Sequence, residues 1–180
     1  MLGVRVLVKI KDRVMLSIVG TLISLWPGRI LSRVLLKEGV IDFNYDRLGA
    51  GLFLKRKAAK STAGQVTGML VNEINVALAS LVITYTLALT GRDKAVLKGL
   101  GIGLSFWVLI NGLLTGSVLK IKSAKPWTPL INAALHMVSG GLTGFVISRI
   151  GDDSLFPDRM KGKVGKDLPV WPMAESGSKR

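Results

Sequence analysis

The stretch from Thr62 to Leu89, which reads STAGQVTGMLVNEINVALASLVITYTLAL from Ser61, is long and apolar enough to cross a bilayer as a helix. It carries one acid, Glu73, between Asn72 and Asn75. Such a segment must be covered along its whole length by protein or by lipid, and similar blocks recur at 14–36, 95–119 and 129–150. In a chain of 180 residues that is 49% hydrophobic, with mean hydropathy +0.45, blocks of this length outrun what one small soluble core could bury. The expected fold class is therefore all-α: a polytopic membrane protein, a bundle of four transmembrane helices with an interfacial helix between the first and second. The transmembrane domain is expected over 14–150, with spans at about 14–36, 62–89, 95–119 and 129–150. A basic segment, 1–13, precedes it. The charged, proline-bearing stretch 151–180 is expected to be a flexible aqueous tail.

The net charge of +14 would suggest nucleic acid in a soluble protein. Here the basic residues lie between apolar blocks, where they face lipid headgroups, and basic-plus-aromatic recognition modules are absent. The expected partner is a bilayer with anionic lipids, not nucleic acid. The chain has no cysteine, which excludes disulfides, thiol nucleophiles and Cys-based metal sites.

Arg5, Lys9, Lys11 and Arg13 precede the apolar run Val14–Trp26 as the basic region of a signal peptide would. No small-residue cleavage site follows, only Trp26-Pro27-Gly28-Arg29, so the run is expected to be retained and to continue through Pro27 to Leu36 with a kink. Arg29 and Arg33 would then share a face. A helix stopping at Trp26 would be about 20 Å long, too short for about 30 Å of hydrocarbon, and would be re-entrant or tilted. Between the first two spans, Asp42–Asp46 (DFNYD) reads as loop and helix-start chemistry. The following stretch to Lys57 reads as an interfacial helix with Leu48, Leu52 and Phe53 facing down. Lys55, Arg56, Lys57 and Lys60 would meet the headgroups.

Apolar side chains gain little by leaving lipid for one another, so membrane helices associate through small residues and polar contacts. Gly64/Gly68, Gly99/Gly103, Gly112/Gly116 and Gly140/Gly144 are each spaced by four and lie in or at the ends of expected spans. They are the candidate helix-packing positions. Counting about 1.5 Å per residue inward from the side of the 37–61 and 120–126 loops places Arg29 about 10 Å deep, Glu73 about 16 Å, Asn111 about 12 Å, Asn132 about 7 Å and His136 about 13 Å. These five form a candidate intramembrane polar layer. A carboxylate at that depth costs at least about 2.5–3.5 kcal/mol, so Glu73 should be neutral, paired or facing internal water. Arg29, Asn111 and His136 are its candidate partners. Such a contact either fixes helix register or handles protons or ions.

Enzyme signatures are missing: there is no Gly-x-Ser-x-Gly, no His-Glu-x-x-His and no P-loop, so no catalytic residues are expected. One His and one Glu within the spans make too thin a set for a metal site, and no cofactor is expected. The expected function is that of a non-enzymatic integral membrane component assembling through glycine-lined interfaces around a buried polar layer. The alternative is a small proton, ion or solute transporter or channel component using Glu73 and His136, which would require a homodimer because four spans are few for alternating access.

The proline-broken first helix, the DFNYD segment, the acid in the second span, KGLGIGLSFWVLINGLLT in the third and NAALHMVSGGLTG in the fourth resemble uncharacterised small four-helix integral membrane proteins of Gram-positive, spore-forming bacteria. The similarity covers roughly residues 13–150. It implies the four-helix fold and a bacterial cytoplasmic membrane, carries over Glu73, Asn111 and His136 as candidates, and adds no reaction. With Arg29 and Arg33 set aside, 14 Lys and Arg lie on the side of the termini against 9 on the other, which favours cytoplasmic termini.

Overall fold

The computed structural model describes residues 9–55, 57–110, 113 and 123–157. Among the described residues the chain is all-helical: α1 (Arg13–Lys37), α2 (Tyr45–Phe53), α3 (Thr62–Thr90), α4 (Ala95–Trp107) and α5 (Trp127–Ile150). Three of these, α1, α3 and α5, are long and apolar enough to cross a membrane. The apolar helix that begins at Ala95 runs to Ile110, its last turn widened to π geometry, and most of the expected third span beyond it lies outside the described residues.

Side-chain caps set the helix starts. Asp12 accepts the Met15 N–H at 2.6 Å, Asn44 that of Arg47 at 3.1 Å, and Ser61 that of Gly64 at 3.1 Å, each relieving an orphan donor. α3 stops at Gly91, whose φ of 90° and ψ of 168° suit glycine alone. α1 runs unbroken through Pro27, whose missing N–H leaves the carbonyl one turn back without its helical donor. The chain therefore does not turn back at Trp26.

Long-range contacts define two ends. At the first, Ile10 and Gly151 form an isolated bridge, Lys9 Nζ donates to the Arg149 carbonyl at 2.8 Å, and Arg92 reaches Asp153 at 2.7 Å. The start of α1, the α3–α4 turn and the end of α5 thus meet. At the opposite end, the α1–α2 connection meets the start of α5: Trp127 Nε1 donates to the Val40 carbonyl at 2.9 Å, and Lys125 Nζ donates to that of Gly39.

The interior mixes small polar side chains with apolar ones, whereas the outer faces of the long helices are apolar. Ser17, Thr21, Ser24, Ser80, Thr84 and Thr143 are buried, while Ile18, Leu22, Ile23, Leu70, Ile74, Leu78, Val82, Val138 and Phe145 are exposed. Ser17 Oγ lies 2.9 Å from Thr84 Oγ1, Ser80 Oγ donates to the Ser17 carbonyl at 2.8 Å, and Thr143 Oγ1 lies 2.7 Å from Ser24 Oγ. These contacts stitch α1 to α3 and α5. Between lipid-embedded helices each is worth about 0.6 kcal/mol, and the apolar outside is what a lipid solvent selects.

The expectation of a flexible tail from Gly151 onward is corrected at its start. A short 3₁₀ turn, Asp153–Leu155, swings Phe156 into an apolar cluster with Leu16, Ile83, Leu87, Ala95 and Ile147, where it is 2% exposed. The Arg92 guanidinium sits 4.9 Å from the ring centroid. A buried aromatic with a cation over its face outweighs the disordering tendency of the surrounding charged composition. Residues 158–180 lie outside the described part of the chain.

Candidate functional site

α4 and α5 approach backbone to backbone. An added Cβ at Gly99 would strike the Gly140 carbonyl, one at Gly103 the carbonyl of His136, one at Gly140 the carbonyl of Gly99, and one at Gly144 that of Ala95. These four glycines make one continuous seam. Gly64 and Gly68 serve differently: Gly68 meets the Asp46 carbonyl of α2, and Gly64 meets Ala58 and Ala59 in the turn before α3. Gly112 and Gly116 lie outside the described residues.

The seam and the Ser/Thr contacts leave room higher in the bundle for a polar layer. Arg29 of α1, buried, donates through Nη1 to Glu73 Oε1 of α3 at 2.7 Å. Two helices counted to similar depth therefore meet at a charge pair. α2 supplies a third charge that the sequence reading did not assign to this layer. Asp46 Oδ1 lies 3.9 Å from Arg29 Nη2 and accepts from Asn72 Nδ2 at 3.3 Å, while its Oδ2 lies 3.9 Å from Arg33 Nη2. Asp46 sits in the first turn of α2, where the helix dipole favours an anion. That placement, next to the Asn44 cap, was the sequence signal for it.

His136 joins the layer without touching Glu73. Its Nδ1 lies 3.2 Å from the Asn132 carbonyl, its ring packs 4.1 Å from that of Tyr45, and Nε2 has no hydrogen-bond partner. A carbonyl only accepts, so Nδ1 carries the proton and, in the neutral ring, Nε2 is an acceptor. Asn132 is fully buried, its amide without a partner. Asn111 lies outside the described residues. α2 docks through Leu48, Gly49 and Ala50, all buried, while Phe53 is 71% exposed. Lys55, Lys57 and Lys60 are exposed at this end, and Arg56 lies outside the described residues.

The polar layer surrounds a cavity of about 80 Å³ lined among others by Arg29, Asp46, Asn72, Asn75, His136 and Ser139. At about 10–15 Å³ per water it has room for several. Beside it an apolar groove of about 200 Å³ runs between α2 and α3, lined by Leu48, Leu52, Val71, Ile74, Leu78 and Ile110. No group of three or more metal-ligating side chains occurs among the described residues.

Above the layer, Asp42 clamps the α1–α2 connection to the start of α5. It accepts from Ser123 Oγ at 2.8 Å and from the Ala124 N–H at 2.6 Å. Burial alone would raise its carboxyl, but hydrogen bonds from Thr128, Ser123 and Ala124 outweigh that and hold it below 3.8. A depressed folded value means the clamp stabilises fully above pH 3.8 and is lost as pH falls through the folded value. Wild-type protein should therefore lose more thermal stability than Asp42→Asn as the pH is lowered through that window, and parallel melting-temperature curves for the two would count against the clamp.

No protein-family model, curated protein or solved structure matches the chain.

Proposed function

We propose that the chain is a four-span integral protein of a bacterial cytoplasmic membrane, with cytoplasmic termini and with α2 at the interface, and that it is a non-enzymatic membrane component. The third span begins with α4, and the basic residues Lys55, Lys57 and Lys60 meet anionic headgroups. The observation that carries this reading is the use of the polar layer: Glu73 is engaged by Arg29 at 2.7 Å, not by His136, so the charge pair ties α1 to α3. The seam of Gly99, Gly103, Gly140 and Gly144 is consumed within the chain, which fits an assembled bundle rather than a stripe awaiting a second copy.

One observation favours a second reading as a small transporter or channel component. The cavity beside Arg29, Asp46 and His136 is large enough for water at the depth where a proton or ion path would need it. Reconstituted vesicles separate the two. In the membrane-component role Glu73→Gln and wild type give the same pH-driven flux, equal to that of empty vesicles. Flux in the wild type that disappears in Glu73→Gln would overturn that role in favour of transport. Single cysteines introduced at Ser123 and Ser154 into this cysteine-free chain should be labelled from opposite faces of the membrane, with Ser154 on the cytoplasmic side.

A further inference from the structure

The polar cavity and the apolar groove share three lining residues, Tyr45, Asn72 and Asn75. The two adjoin at these residues and make up one depression with two ends, the inner one mixing Arg29, Asp46 and His136 with apolar neighbours and the outer one apolar along the exposed side of α3. Asn75 sits at the junction with no hydrogen-bond partner for its amide among the described residues, although an unpaired amide at this depth is costly. Arg29 and His136 also line the inner cavity, but Arg29 Nε and Nη2 and His136 Nε2 are themselves buried, so the half-buried Asn75 amide is the polar group a bound molecule would meet first. An amide both donates and accepts, so Asn75 suits a head that can do the same.

Charge balance narrows the head further. Arg29 and Arg33 face Asp46 and Glu73, two cations against two carboxylates. A phosphate or carboxylate head would bring an unneutralised charge below the headgroup level, whereas a hydroxyl would not. The groove is open on the side of Ile74 and Leu78, which are 62% and 52% exposed, so an acyl chain can lie in it while remaining in the hydrocarbon. We propose that this depression is a binding site for an uncharged, hydroxyl-bearing single-chain amphiphile of the monoacylglycerol class. Its head hydrogen-bonds the Asn75 amide, and its chain lies along Val71, Ile74 and Leu78. This goes beyond the membrane-component role and does not depend on it.

The test uses the full chain in lipid nanodiscs with a monoacylglycerol bearing a photoreactive diazirine midway along its chain. Labelling is expected to concentrate on the peptide containing Val71–Leu78 and to be displaced by unlabelled monoacylglycerol but not by an alkane, a fatty acid or phosphatidylglycerol. Asn75→Leu should weaken labelling about tenfold, the weight of one lost buried hydrogen bond. Leu78→Trp, at a lipid-facing position that leaves the fold intact, should block the groove and reduce labelling comparably. Equal labelling of the exposed α1 face at Ile18 and Leu22, displacement by the alkane or by a charged lipid, or unchanged labelling of both variants would overturn the proposal.

Discussion

Gly99→Ala is expected to destabilise the protein by about 2–3 kcal/mol, the upper part of the overpacking range. Gly101→Ala, two residues along the same helix, should leave it unchanged or more stable by about 0.5–1 kcal/mol. The contrast follows from what a Cβ would meet. At Gly99 it would strike the Gly140 backbone carbonyl, which cannot rotate away as a side chain could, whereas nothing lies within 4 Å at Gly101. Gly103→Ala and Gly140→Ala should resemble Gly99→Ala, because they meet the His136 and Gly99 carbonyls across the same seam. Since these sites touch one another, combined variants should cost less than the sum of the single ones. Thermal unfolding in detergent or nanodiscs provides the measurement, and equal melting temperatures for Gly99→Ala and Gly101→Ala would remove the seam from the account of the fold.

The seam was legible in the sequence because Gly99/Gly103 and Gly140/Gly144 fall on helices, where a spacing of four keeps both residues on one face. The same spacing at Gly64/Gly68 is silent about the neighbour, which is α2 and its connecting turn, not a second long helix. Depth arithmetic brought Arg29 and Glu73 together because both lie on regular helices with a constant rise per residue. It could not bring in Asp46 or Tyr45. Their position depends on how a nine-residue helix docks on α3 and how the Asp42 clamp holds its leading loop, and neither is a periodic property of the sequence. Phe156 was missed for a related reason: one aromatic in a charged stretch carries no periodicity, and only the tertiary pocket made by Leu16, Leu87 and Ile147 reveals its use.

The charge pair gives the second large effect, with a built-in asymmetry. Glu73→Ala strands the Arg29 guanidinium, whose side chain is 5% exposed, with only Asp46 at 3.9 Å as a remaining counter-charge. Breaking a buried pair costs about 3–5 kcal/mol, and the residual attraction to Asp46 puts this variant near 3 kcal/mol. Arg29→Met should cost less, because a carboxyl left without its cation can be neutralised by taking up a proton, whereas a guanidinium cannot lose one. Arg29→Met combined with Glu73→Leu removes both charges and should recover much of the loss, since apolar replacement of an ion pair is often neutral. In the combined variant Asp46 keeps Asn72 at 3.3 Å and Arg33 at 3.9 Å, so it is not stranded in turn. A double-mutant cycle on unfolding free energies should therefore give a coupling of at least about 1.5 kcal/mol between the two positions. Additive single effects would mean that Arg29 and Glu73 act independently, and the polar layer would then hold the helices through its hydroxyl and amide contacts alone.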